Sequence, residues 1–325
     1  LTLVLGAVLL LFGVGALGAQ ECTECHDALS EVAVHVDFGC TDCHEGMTEY
    51  PHEAGELSPS CGLCHDGVAE ATGRGVHADF FEGECSSCHG EAHEVIADEQ
   101  IRLGVDDLCG ECHDDARRAV LASAHENVSQ GMAPVCSDCH GAHGILRADD
   151  PDAPTYHLNV EVTCSRCHGN DELMLQADLE SVAPAYHDSI HGFAVEKSGL
   201  LVAPTCVTCH GAHDILPHEN PESRTARDNI LAGCAECHVG VVRTFYDSIH
   251  AEVNRAEGGA PICIDCHNAH GIQTADTEQW ILGVVQECGT CHEELYDTYR
   301  RDFHGQVTAI GYRRAAKCSD CHGAH

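Results

Sequence analysis

Hydrophobic residues are unevenly distributed along this chain. Residues 1–19, LTLVLGAVLLLFGVGALGA, form an apolar run in which Thr2 is the one polar side chain. About 20 such residues are enough to cross a bilayer as a helix. Small residues at Gly18 and Ala19 also suit a cleavable export signal. The run exceeds a usual signal core, so residues 1–20 are expected to be a membrane anchor. Gly6, Gly13, Gly15 and Gly18 would then allow close packing against other membrane helices. After residue 20 no stretch alternates apolar and polar positions as a half-buried strand would. Short helices are expected instead at Asp114–Ala124, Val239–Ile249 and Glu293–Phe303. The stretches Asp149–Pro154 and Ala256–Pro261 carry Gly and Pro and read as loops. The predicted fold class is mainly coil with short α-helices and little or no β-sheet.

Composition changes this picture in one respect. Length alone suggests two domains, but large side chains for a core are scarce. Phe, Trp and Tyr make up 5% of the chain, with one Trp and three Met. Something other than side chains must fill the interior. Disorder is not indicated, because 43% of residues are hydrophobic. The 53 acidic residues against 16 basic ones argue against a nucleic-acid partner.

The cysteines supply the missing filler. All 24 fall into twelve Cys-x-x-Cys pairs, and His follows every pair. The first six are Cys22-Cys25-His26, Cys40-Cys43-His44, Cys61-Cys64-His65, Cys85-Cys88-His89, Cys109-Cys112-His113 and Cys136-Cys139-His140. The others are Cys164-Cys167-His168, Cys206-Cys209-His210, Cys234-Cys237-His238, Cys263-Cys266-His267, Cys288-Cys291-His292 and Cys318-Cys321-His322. Cys-x-x-Cys-His is the attachment sequence for c-type haem. Its thiols bond to the two vinyl groups and its imidazole is the proximal ligand to iron. Zinc ribbons use Cys-x-x-Cys without needing the His, and a disulfide framework leaves the His unexplained. Twelve covalent haems c are therefore expected.

The remaining histidines are patterned too. Taking the motifs two at a time yields six repeats, starting near 22, 61, 109, 164, 234 and 288. Each has one His between its motifs: His35, His77, His125, His191, His250 and His304. Each has one after its second motif: His52, His93, His143, His213, His270 and His325. Asp-Ser-Ile-His recurs at 188–191 and 247–250, and Cys-His-Gly-Ala-His at 139–143, 209–213 and 321–325, with Asn268 replacing the Gly at 266–270. These twelve are the candidate distal ligands, one for each iron. His157, His187 and His218 are left over as surface or hydrogen-bonding residues, although His187 is an alternative to His191. In the first repeat Met47 is an alternative to His52. A proximal and a trailing His three residues apart cannot share one iron, so they are expected to serve two neighbouring haems. The balanced count favours a chain that completes all its own ligation.

Residues 21–325 thus read as an elongated array of di-haem repeats whose haems are the hydrophobic core. Folding is expected to depend on haem attachment. Export is required for that attachment, which places the array outside the cytoplasm. Charge is asymmetric: residues 20–99 hold 19 acidic residues and one basic residue, Arg74. Residues 293–325 carry five of each sign, the basic ones being Arg300, Arg301, Arg313, Arg314 and Lys317. Head-to-tail docking of copies is one reading of this asymmetry; solubility is the other.

On its twelve motifs and repeated Cys-His-Gly-Ala-His, the chain from 22 to 325 resembles the multihaem c-type cytochromes with doubled haem-binding motifs. The resemblance implies bis-histidine, low-potential haems and long-range electron transfer between redox proteins, often in respiration with external acceptors. Some relatives polymerise into extracellular nanowires. The apolar segment beside a haem motif is also similar to membrane-anchored quinol-oxidising cytochromes. A multihaem nitrite or hydroxylamine-type oxidoreductase is the enzymatic alternative and needs an iron with an open face. Relatives of the nitrite reductases often mark that iron with Lys in place of the motif His. No motif here does so, and no catalytic residue is expected.

Overall fold

The computed structural model describes residues 35, 40–44, 61–81, 84–90, 95, 98–126, 132–257, 259–323 and 325. The apolar segment, Cys22, Cys25, His26, Met47, His52, His93 and the side chain of Cys40 lie outside the described residues. Short helices joined by turns make up the fold, and no strand occurs among the described residues. None of the described helices is long and apolar enough to cross a membrane.

The helices follow from a device repeated at four of the first motifs. His65, His113, His238 and His292 stand at the N-caps of helices Asp66–Arg74, Asp114–Leu121, Val239–Tyr246 and Glu293–Arg301. Asp66, Asp114, Asp115, Glu293 and Glu294 lie in first turns, where the helix dipole favours negative charge. The last three start where the sequence predicts but end two or three residues early. In the last two the reason is a second cap just before the middle His, a device that recurs before His191. The Ser189 hydroxyl accepts from Gly192 N–H at 3.0 Å, Ser248 from Ala251 at 3.4 Å and the Asp302 carboxylate from Gly305 at 2.9 Å. Such side chains stop one helix and open the next. The new helices are Ile190–Glu196, Ile249–Glu257 and Phe303–Ala309. His191, His250 and His304 are the second residue of each. Helix and cap pack tightly here: a Cβ at Gly192 would stand 2.2 Å from the Tyr186 carbonyl oxygen. Because Ile249–Glu257 runs on, the loop expected from Ala256 starts later, and Asp149–Pro154 is a loop as expected.

The second motif of a repeat is itself a short helix: Cys136–His140, Cys206–His210, Cys263–His267 and Cys318–His322. Its third residue tightens the turn by accepting from the N–H before the first Cys. Asp138 does so to Val135 at 2.8 Å, Thr208 to Thr205 at 3.1 Å, Asp265 to Ile262 at 2.7 Å and Asp320 to Lys317 at 2.8 Å. Two of these carboxylates also receive an Arg from the end of the preceding repeat, Arg102 on Asp138 at 2.8 Å and Arg227 on Asp265 at 2.7 Å.

Successive repeats are joined by backbone hydrogen bonds. The N–H just before the middle His donates to the carbonyl two residues past the next repeat's trailing His. Val76 donates to Ile145 at 2.7 Å, Ala124 to Ile215 at 2.7 Å and Ile190 to Ile272 at 2.8 Å. The side-chain core is thin, as composition requires. Buried apolar residues are mostly Ala and Val, such as Ala153, Val160, Val195, Ala251 and Val285, and Phe245 is the one buried aromatic among the described residues.

Candidate haem centres

The motif helices aim imidazoles at one another in pairs. The middle His of one repeat faces the first proximal His of the next. Ring centroids are 6.1 Å apart for His35 and His65, 6.1 Å for His77 and His113, and 6.3 Å for His125 and His168. They are 6.1 Å apart for His191 and His238, and 6.4 Å for His250 and His292. The trailing His of a repeat faces the second proximal His of the repeat before it. These pairs are His143 with His89 at 5.8 Å, His213 with His140 at 5.9 Å, His270 with His210 at 6.0 Å and His325 with His267 at 5.8 Å.

That spacing can be compared with the group the motifs imply. A transition metal holds an imidazole nitrogen at about 2 Å, and that nitrogen lies about 1 Å from its ring centroid, so trans imidazoles stand roughly 6 Å apart. All nine described pairs, at 5.8–6.4 Å, fit an iron between two axial rings. Among the described residues no group of three or more His, Cys, Asp or Glu is placed to hold a bare metal ion.

The trailing His can turn away from its own motif because one residue between them has positive φ. Gly141 has φ 78°, Gly211 φ 85°, Asn268 φ 61° and Gly323 φ 70°. With ψ near ±155–180°, this backbone region is almost exclusive to Gly. Asn268 tolerates it by accepting from the N–H groups of His270 at 2.9 Å and Gly271 at 3.0 Å. Thus His140 and His143 do face different partners, His213 and His89.

The thiols form a series in chain order. Within repeats Cys61 lies near Cys85, Cys109 near Cys136, Cys164 near Cys206, Cys234 near Cys263 and Cys288 near Cys318. Between repeats Cys88 lies near Cys112, Cys139 near Cys167, Cys209 near Cys237 and Cys266 near Cys291. Ten motifs, from Cys61 to Cys321, are thereby linked one to the next; Cys64 and Cys43 are exposed. Along this series each distal candidate passes over one motif. His143 follows the motif of Cys136 yet faces His89, with the Cys109 motif between.

Burial, the leading cause, holds His125, His140, His168, His191, His210, His267 and His270 below the usual histidine range, keeping the lone pair free for a metal. Burial also pushes Cys136 up to about 12, with Asp106 adding to it. A thiol held protonated is a poor ligand for zinc.

His44 is half-buried beside Cys43. The leftover histidines have other partners: His157 bonds the Ala203 carbonyl at 2.9 Å, His187 lies 3.0 Å from Glu196 and His218 3.2 Å from Glu219. His191, not His187, faces His238. Sequence reading missed Trp280, whose ring stacks on His267 at 4.9 Å and 8°. No spacing signal marks it beyond its being the one Trp. Among the described residues neither His304 nor His322 has an imidazole opposite it.

The family model for the doubled CXXCH motif matches residues 77–118. The match begins at His77 and extends past His113, so it encloses one imidazole pair. The chain is 24% identical over 153 residues to the multiheme cytochrome MtrA of Shewanella baltica (strain OS185). That alignment covers 47% of this chain and 43% of the relative, so the chain spans less than half the length of the relative it matches. No solved structure matches. Its paired motifs, the facing imidazoles and these two similarities together make the chain a multihaem c-type cytochrome.

Proposed function

We propose that this cytochrome is a long-range electron conduit carrying twelve bis-histidine haems c outside the cytoplasm. It would pass electrons between a membrane-side redox protein and a second redox partner, external or periplasmic. The observation that carries this reading is a run of ten motifs, nine of whose proximal imidazoles have another imidazole opposite. Haem c, when bound, supplies a one-electron carrier whose potential is set by axial ligands, burial and hydrogen bonds. The chain's residues do the rest: the thiols tether, the paired imidazoles close both faces, and the repeats hold the order. A paired site leaves no face for substrate, so the chain is read as a carrier with no bond-making chemistry, and the nitrogen-oxyanion oxidoreductase is disfavoured.

Two measurements test this. Intact-mass analysis should return twelve covalent haems; fewer would shorten the conduit. Stopped-flow reduction should proceed through the whole array, whereas Cys206→Ser with Cys209→Ser should leave haems beyond the break slow to reduce. If that double variant keeps its remaining haems and reduces as fast as the parent, the series is not the path. A nanowire subunit is the second reading, favoured by the contrast between acidic residues 20–99 and the basic cluster within 293–325.

A further inference from the structure

The facing imidazoles differ in more than their partners. At the first-motif pairs, in chain order, the ring planes cross by 61°, 53°, 38°, 37° and 30°. At the second-motif pairs they cross by 15°, 25°, 5° and 11°. The two sets do not overlap, and they alternate along the series of motifs. Local structure supplies a reason. Both rings of a near-parallel pair come from copies of one unit, a second motif with a positive-φ residue after its His: Gly90, Gly141, Gly211, Asn268 or Gly323. Like units set side by side present their rings alike. A crossed pair joins unlike units, a middle His and a first-motif His, so its planes share no common frame.

One near-parallel pair carries an added hold. Trp280 is half-buried on helix Glu278–Gly289, where the Thr277 hydroxyl accepts from its backbone N–H at 3.2 Å. Its indole lies 4.9 Å from His267 and parallel to it within 8°, and His267 is parallel to His325 within 11°. The equivalent positions, eight residues before the first Cys of a repeat, hold Ile101, Tyr156 and Ala226, so the indole is particular to one site. An indole face against an imidazole face resists rotation of that ring.

We propose that the chain sets its axial histidines in two alternating orientations, crossed at first motifs and near-parallel at second motifs, and that Trp280 is a positioning residue holding His267 in the second. This rests on the bis-histidine reading above. An axial imidazole donates π density along the normal to its ring plane. Rings in one plane act on the same iron d orbital and separate it in energy from its partner. Crossed rings act on both and narrow the gap. Axial ligands thereby set the electronic state of a haem, and consecutive carriers of the conduit are of two kinds.

The test is electron paramagnetic resonance of the ferric holoprotein. Two low-spin signals should appear, a resolved rhombic one from the near-parallel pairs and one at larger principal g from the crossed pairs. Cys206→Ser with Cys209→Ser should remove one haem's intensity from the rhombic signal, and Cys164→Ser with Cys167→Ser from the other. Trp280→Leu should move one haem's intensity out of the rhombic signal with the haem count by intact mass unchanged, whereas Trp280→Phe should keep it there. A single class of low-spin signal would overturn the alternation, as would the reverse assignment by the two tether variants. Both checks stand without any change at Trp280. A Trp280→Leu spectrum like the parent's, or an equal shift in Trp280→Phe, would overturn the role of the indole. Failure of the bis-histidine reading looks different: it gives high-spin signal in the parent protein.

Discussion

The residue after each second-motif His decides where the trailing imidazole points. At Gly141 a Cβ would meet nothing within 4 Å, so Gly141→Ala isolates backbone strain from crowding. Its φ of 78° lies where a non-Gly residue costs about 1–3 kcal/mol. The expected outcome is a loss of that size in denaturant midpoint, with weakened pairing of His143. Asn268→Ala should cost a similar amount, about 2 kcal/mol, by a different route: the strain is already present in the parent, and two hydrogen bonds of about 1 kcal/mol each are lost. An unchanged denaturant midpoint in either variant would refute this account. Asp265 offers a pH test. The hydrogen bond from Arg227 is the first cause holding its carboxyl below the usual range, against opposition from burial. The unfolded state therefore takes up the proton first as pH falls, so the stability from this pair is present above about pH 4 and lost below it. Side chains 48% and 35% exposed limit it to about 1 kcal/mol. Melts of Asp265→Asn against the parent should differ near neutral pH and converge in acid.

Helix boundaries set the position of each middle His. Ser189 is 1% exposed and its hydroxyl caps Gly192 at 3.0 Å, whereas the Ser248 bond is 3.4 Å. Losing a Ser cap costs about 1 kcal/mol. Ser189→Ala should therefore destabilise more than Ser248→Ala, and should raise high-spin signal by freeing His191. Equal effects in thermal melts would argue that the caps do not position these ligands. The starts of the helices after His113, His238 and His292 were readable from the chain, being set by the motif His and, at two of them, an acidic first turn. Their ends were not, because Ser and Asp are common residues and become caps only when the backbone bends there. Asp138, Asp265 and Asp320 within the motifs were visible in the same way, but their bond to the preceding N–H was not.

Across the molecule, every described repeat boundary is crossed by facing imidazoles, which on the proposed ligation would be ligands exchanged between neighbours. This makes an unusual prediction. His143→Ala should leave the haem of the preceding repeat, at Cys85 and Cys88, with one axial imidazole. High-spin signal should appear, and should vanish when Cys85→Ser and Cys88→Ser are added. Adding Cys136→Ser and Cys139→Ser instead should leave it in place. The opposite pattern would show that each repeat ligates its own haems. The exchange also accounts for cohesion in an array with so little apolar burial, since separating two repeats would break two axial bonds and a backbone hydrogen bond.

What the amino-acid order determined alone was the chemistry: tethers, proximal imidazoles, a matching set of further histidines and the absence of a side-chain core. These are local, because a Cys-x-x-Cys-His turn brings its own groups together whatever surrounds it. The tertiary structure decided who faces whom. A trailing His three residues from its motif can turn toward either neighbour, and the positive-φ residue and the docking of adjacent repeats make that choice. Equal numbers of proximal and distal histidines suggested closure within one chain. Pairing across boundaries displaces each described partner by one repeat.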